Sequence, residues 1–143
     1  MYIAMVEMYS NIEQINVLTC EANWAWPWAF ENIFRPRGVN LLVAESPNDF
    51  VNVMKQKRIH AAIMDMDVKK PDCLATIRIV RMNQPGLPCI LLSSEVCQRL
   101  LDRALQLDVF SVLDKPVDME LLRQQLDRLF VKRYGYNVFT DHE

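Results

Sequence analysis

Four short apolar runs of the sequence stop on residues able to do chemistry, and the stops differ in type. Residues 61–64 lead into Asp65-Met66-Asp67, residues 89–92 into Ser93-Ser94, residues 109–113 into Asp114-Lys115-Pro116, and residues 15–19 into Cys20-Glu21. If the stops converge, acids, a hydroxyl and a lysine meet at one place, which suits reversible phosphorylation of a carboxylate. One aspartate is the nucleophile, a divalent cation (Mg2+ is expected) offsets charge, and lysine and hydroxyl bind the phosphoryl oxygens. Crowded carboxylates raise one another's pKa, so each stays ionised only beside the cation or the lysine. Other chemistries find less support. Cys20, Cys73, Cys89 and Cys97 lack the spacing of a zinc or C-x-x-C centre, His60 and His142 have no evident ligand or catalytic partners, and Gly38, Gly86 and Gly135 form no phosphate-cradling loop.

The stops can meet only if the runs lie side by side as parallel strands. Five strands are predicted, at 15–19, 39–44, 61–64, 89–92 and 109–113, and most are almost wholly apolar, as strands covered on both faces are. Helix signals fill the gaps. Ser46 is an N-cap, with Pro47 at the first helical position and Asp49 in the first turn. Pro27 is expected to open the first helix. Leu74, Ile77 and Val80 give the third its apolar face, and Leu100, Leu101, Ala104 and Leu105 the fourth. Asp118 caps the fifth, whose inward stripe is Met119, Leu122, Leu126 and Leu129. Strand-helix alternation with short connections predicts an α/β, doubly wound five-stranded parallel sheet with helices on both faces, its functional crevice beyond the carboxyl ends of the strands. Residues 13–133 would form the domain, 1–12 an extension before it and 134–143 a tail.

The composition of the 143 residues, 51% hydrophobic and 24% charged, excludes disorder and collagen-like structure. A chain of this length buries roughly 70% of its unfolded surface, so burial alone can hold the fold. A formal charge of -2 gives no general attraction to nucleic acid or an anionic membrane, and neither is expected as a partner. No targeting segment or bilayer-spanning stretch is expected, and the scattered cysteines read as reduced thiols of a cytoplasmic protein.

Residues 15–130 resemble the receiver (CheY-like) domain of two-component response regulators, in an atypical form. The segment Ala61-Ala62-Ile63-Met64-Asp65 is similar to the family's third strand and its phospho-acceptor, Pro88-Cys89-Ile90-Leu91-Leu92-Ser93-Ser94 to its fourth strand and switch hydroxyl, and Lys115-Pro116 to its lysine and cis-proline. The resemblance implies the flavodoxin-like strand order 2-1-3-4-5, Asp65 as acceptor, Ser93 and Lys115 as stabilisers of the phosphorylated state, and Mg2+ held by Glu21, Asp65 and the backbone carbonyl of Asp67, whose own carboxylate is expected to replace in part the family's missing second acid. It further implies a histidine kinase or phosphotransfer protein as donor, and a signalling domain that assists its own phosphorylation and dephosphorylation rather than an enzyme. A homodimer could form through the fourth helix, fifth strand and fifth helix, where Arg99, Asp102, Arg103, Arg123 and Asp127 are candidate exposed charges. Three positions depart from the family. Thr19-Cys20-Glu21 replaces a pair of adjacent acids, Val112 stands where an aromatic switch residue is usual, and Cys73 follows Asp72 in place of glycine. These departures admit an alternative, a pseudo-receiver that binds partners independently of phosphorylation. Trp24, Trp26 and Trp28 either anchor the first helix or place a ring over the acidic pocket.

Overall fold

The computed structural model describes residues 14–20, 22–67 and 73–141. The five strands are β1 (Ile15–Thr19), β2 (Val39–Val43), β3 (Ala61–Asp65), β4 (Cys89–Ser93) and β5 (Ser111–Asp114). All pair in parallel in the order β2-β1-β3-β4-β5, the order the resemblance implied. In register, Asp65 pairs with Leu92 and Ser93 with Asp114, so the carboxyl ends of β3, β4 and β5 finish level with one another.

Alternation along the strands sends successive side chains to opposite faces and builds two cores. On one face Val17, Ile63, Ile90, Leu92 and Leu113 pack with Phe34 and with Leu122, Leu126, Leu129 and Phe130 of α5 (Met119–Tyr134). On the other, Leu18, Ala62, Met64 and Leu91 meet Phe50 of α2 (Pro47–Gln56), Ile77 and Val80 of α3 (Cys73–Asn83) and Ala104 of α4 (Gln98–Gln106). The caps form as the sequence predicts. Ser46 accepts from the Asp49 N–H, and Asp118 from the N–H groups of Glu120 and Leu121. His60 has a structural place. It is buried, accepts the Asn16 N–H at Nδ1 (3.2 Å) and stacks on Phe130.

Three local expectations are corrected. The first helix is short and wound wide: α1 (Phe30–Phe34) is a π-helical turn leading into a 3-10 turn, Arg35–Arg37. Pro36 has no N–H to continue an α-helical ladder, and Gly38 ends the segment at φ +68°. On α4, Leu100 and Ala104 face inward but Leu101 and Leu105 face out, Leu105 with 81% of its surface exposed. Helical spacing gave four apolar positions, and the sheet edge has room for only one stripe of them. Finally, residues 135–141 return to the core instead of trailing from it. Phe139 is fully buried against Phe34 and Phe130, Arg123 donates to its carbonyl (2.6 Å), and Thr140 donates to Asp127 (2.5 Å). Gly135, at φ +69°, makes the turn that allows this.

Candidate functional site

Asp65 ends β3 with only 3% of its surface exposed, so its carboxylate must be compensated locally. Oδ1 accepts the Asp67 N–H (2.9 Å), and Oδ2 accepts from the ammonium of Lys115 (2.8 Å). The same ammonium lies 3.1 Å from Oδ2 of Asp67, so one lysine joins two carboxylates. The backbone of Lys115 is held at the end of β4 by the hydrogen bond of its own N–H to the Ser93 carbonyl (2.9 Å), and its peptide bond to Pro116 is cis.

Asp67 is held from a second side by β4's end. Ser94 donates to it through its N–H (3.2 Å to Oδ1) and its hydroxyl (3.0 Å). Partial burial pushes the Asp67 carboxyl up, but the bonds from Lys115 and Ser94 outweigh it and hold the group below the usual carboxylate range. Lys115 is held above its ordinary range, first by its hydrogen bond to Asp65 and then by Asp67, against the opposing effect of burial. Ser93 is buried beside this cluster, and its Oγ accepts the Glu95 N–H (3.1 Å).

Mg2+ demands hard oxygens, keeps several waters and commonly needs only one or two carboxylates. The carboxylates of Asp65 and Asp67, already arranged around one positive charge, fit that demand. Among the described residues no group of three or more His, Cys, Asp or Glu side chains is gathered for a metal, and Glu21 lies outside the described residues, as does Asp72.

The family model for the response regulator receiver domain matches residues 17–127. The chain belongs to that family. The receiver domain is 30% identical over 90 residues to the transcriptional regulatory protein GlrR of Escherichia coli (strain K12), a match that covers 63% of this chain and 20% of GlrR. It is 20% identical over 115 residues to the transcriptional regulatory protein ZraR of Salmonella typhimurium, covering 80% and 26%. The chain thus spans about a fifth to a quarter of the length of these relatives. In fold it resembles the signal receiver domain of an HD domain-containing protein from Pseudomonas fluorescens Pf-5 (TM-score 0.73, 14% identity, 87% of this chain and 100% of that one). A CheY-like receiver domain protein from Methanospirillum hungatei JF-1 superimposes with a TM-score of 0.69 at 14% identity over 87% and 100%.

Of the residues expected at the receiver site, the fold brings together Asp65, Asp67 and Lys115 in direct contact, with Ser93 on the adjoining strand end. The sequence assigns Ser94 no role beyond following Ser93. Its grip on Asp67 across 27 positions has no signal in the sequence beyond the hydroxyl itself. The tryptophans divide. Trp24 packs edge-on to Phe34 and its Nε1–H points to Thr19 Oγ1 (3.4 Å), whereas Trp26 and Trp28 are largely exposed, Trp26 at 63%. Anchoring therefore falls to Trp24. On the α4-β5-α5 face, Arg99 and Asp102 are exposed as expected, but Arg123 and Asp127 are engaged with Glu120, Phe139 and Thr140 inside the subunit.

Proposed function

We propose that this receiver domain is phosphorylated on Asp65 by a histidine kinase or phosphotransfer protein and that the phosphorylated state changes its affinity for a partner. The observation that carries this reading is the single ammonium of Lys115 bridging the carboxylates of buried Asp65 and of Asp67. An oxygen of Asp65 attacks the donor's phosphorus as the phosphorus–nitrogen bond to the donor imidazole breaks, leaving an aspartyl phosphate. Lys115, already charged and 2.8 Å from Asp65, turns its ammonium to the new phosphoryl oxygens. The Ser93 oxygen accepts from Glu95 N–H, so its hydroxyl proton is available to a phosphoryl oxygen. Asp65 and Asp67, with Glu21 as the expected third group, would hold Mg2+, which offsets charge on the transferring group.

In this reading residues 13–133, closed by the returning segment 135–141, act as the receiver unit and residues 1–12 precede it, in the cytoplasm where the kinase works. No helix among the described residues is long and apolar enough to cross a membrane. The outward Leu101 and Leu105, with Arg99 and Asp102 beside them, support α4, β5 and α5 as the surface for a partner or a second copy. GlrR and ZraR are transcriptional regulatory proteins, which supports transcription control as one output of a longer chain carrying this domain.

The test is intact mass after incubation with Mg2+ and acetyl phosphate, beside Asp65→Asn and an EDTA control. One phosphoryl group, absent from both controls, is expected. An unmodified chain would move the function to phosphorylation-independent docking, the pseudo-receiver alternative.

A further inference from the structure

At the end of the sheet opposite to Asp65, the start of β5 and the last turns of α5 enclose a cavity of about 470 Å3. Gln125, Arg128, Lys132 and Arg133 of α5 form one wall, and Asp108, Val109, Phe110 and Ser111 the other. Gln125, Arg128 and Lys132 recur at helical spacing, so one stripe of the helix is aimed along the cavity. Among the described residues, none of the ion pairs involves Arg128, Lys132 or Arg133. Three cations thus crowd one wall against a single acid, Asp108. The N–H groups of Asp108, Val109 and Phe110 are already bonded, to Leu105, Ala104 and Cys89. The hydroxyl of Ser111, by contrast, is buried and has no hydrogen-bond partner.

The loop is also fixed in place. Arg81 of α3 donates to the carbonyls of Pro85, Leu87, Leu107 and Asp108, which holds the turn where Asp108 takes φ +55°. A rigid rim, uncompensated guanidinium and ammonium groups and an unpartnered hydroxyl are what an anion site requires, and guanidinium forks match phosphate oxygens in particular. The volume lies within the usual range for small-molecule sites and is larger than a lone phosphate needs. Val109 and the half-buried Phe110 give the same cavity an apolar side.

We propose that this cavity binds a phosphate-bearing small molecule of nucleotide size, with its phosphates on Arg128, Lys132 and Arg133 and its body toward Phe110 and Gln125. The site is independent of Asp65 and its phosphorylation. The test is calorimetric titration of the full chain with ADP in EDTA. Wild type and Asp65→Asn should bind alike, and the exposed-surface double variant R128Q/K132Q should bind about tenfold or more weakly, since each lost charge-assisted bond counts separately. The charge-matched variant K55Q/K57Q, on and just beyond α2, should bind as wild type does. Absence of ADP binding, or equal weakening in K55Q/K57Q, would overturn the site. Loss of binding in Asp65→Asn would assign the nucleotide to the acidic end instead. Pyrophosphate binding as tightly as ADP would overturn the nucleotide-sized ligand. Sedimentation with vesicles containing phosphatidylglycerol that is abolished in R128Q/K132Q would give the phosphate to a lipid headgroup and overturn a soluble ligand.

Discussion

The ammonium of Lys115 stands 2.8 Å from Oδ2 of Asp65, a residue fifty positions earlier, and makes an ion pair whose carboxylate side is nearly closed to water. Everything proposed for phosphorylation depends on that pair, and so does part of the stability. Because Lys115 is held above its ordinary value of 10.5, its contribution is complete below that pH and is lost as pH rises through the folded-state value. Asp67 is held below its ordinary 3.8, so its contribution is complete above that pH and is lost as pH falls through the lowered value. Urea denaturation across pH should therefore show a plateau at neutral pH. The difference between wild type and Lys115→Met should shrink as the medium becomes strongly alkaline, and a difference that is constant with pH would contradict the pairing.

Asp67 is expected to help hold Mg2+ where the family's usual pair of adjacent acids is reduced to Glu21. Asp67→Asn keeps the shape and removes the charge. It should weaken Mg2+ binding about tenfold, the scale on which losing one charged ligand bond acts. Quenching of tryptophan fluorescence reads this, Trp24 lying against Thr19 at the end of β1. Unchanged affinity would remove Asp67 from the ligand set.

The returning C-terminal segment should be required for the fold. Phe139→Ala empties a fully buried aromatic site and should cost about 3–5 kcal/mol, the usual scale for such truncations. Denaturant midpoints measure it. A loss below about 1 kcal/mol, the scale of ordinary surface changes, would mean that the segment is not packed as described.

Helix caps should count separately. Ser46→Ala and Asp118→Ala each leave N–H groups of a first turn unbonded and should each cost about 1 kcal/mol. The two caps sit on opposite faces of the sheet, so the double variant should be additive in the same denaturation assay.

The cysteines should react in a fixed order. Burial pushes the Cys89 thiol up to about 11, and its Sγ–H points to the Leu87 carbonyl, so it stays a protonated thiol at neutral pH. Cys97 is exposed at the start of α4. Peptide mapping after brief iodoacetamide treatment should find Cys97 alkylated and Cys89 intact, with Cys89 reacting only after denaturation.

The order of elements and the residues at their ends are legible in the amino-acid chain alone. Runs such as Ala61-Ala62-Ile63-Met64 fit a strand covered on both faces, and Ser46-Pro47 and Asp118 start helices, because these are local preferences that a few neighbours decide. The chain also places Asp65, Ser93 and Lys115 at strand ends, which a parallel sheet must align. Which partners these groups take depends on packing between elements distant in the chain. That Ser94 grips Asp67, that Arg123 and Asp127 fasten residues 139–140 instead of facing solvent, and that Phe139 closes the core are contacts across 13 to 27 positions or more. The outward turn of Leu105 and the cations gathered around Ser111 have the same origin. Periodicity tells which residues share a helix face, but only packing against the sheet tells which face is covered, and hydrogen-bond partners are chosen by distance in space rather than in sequence.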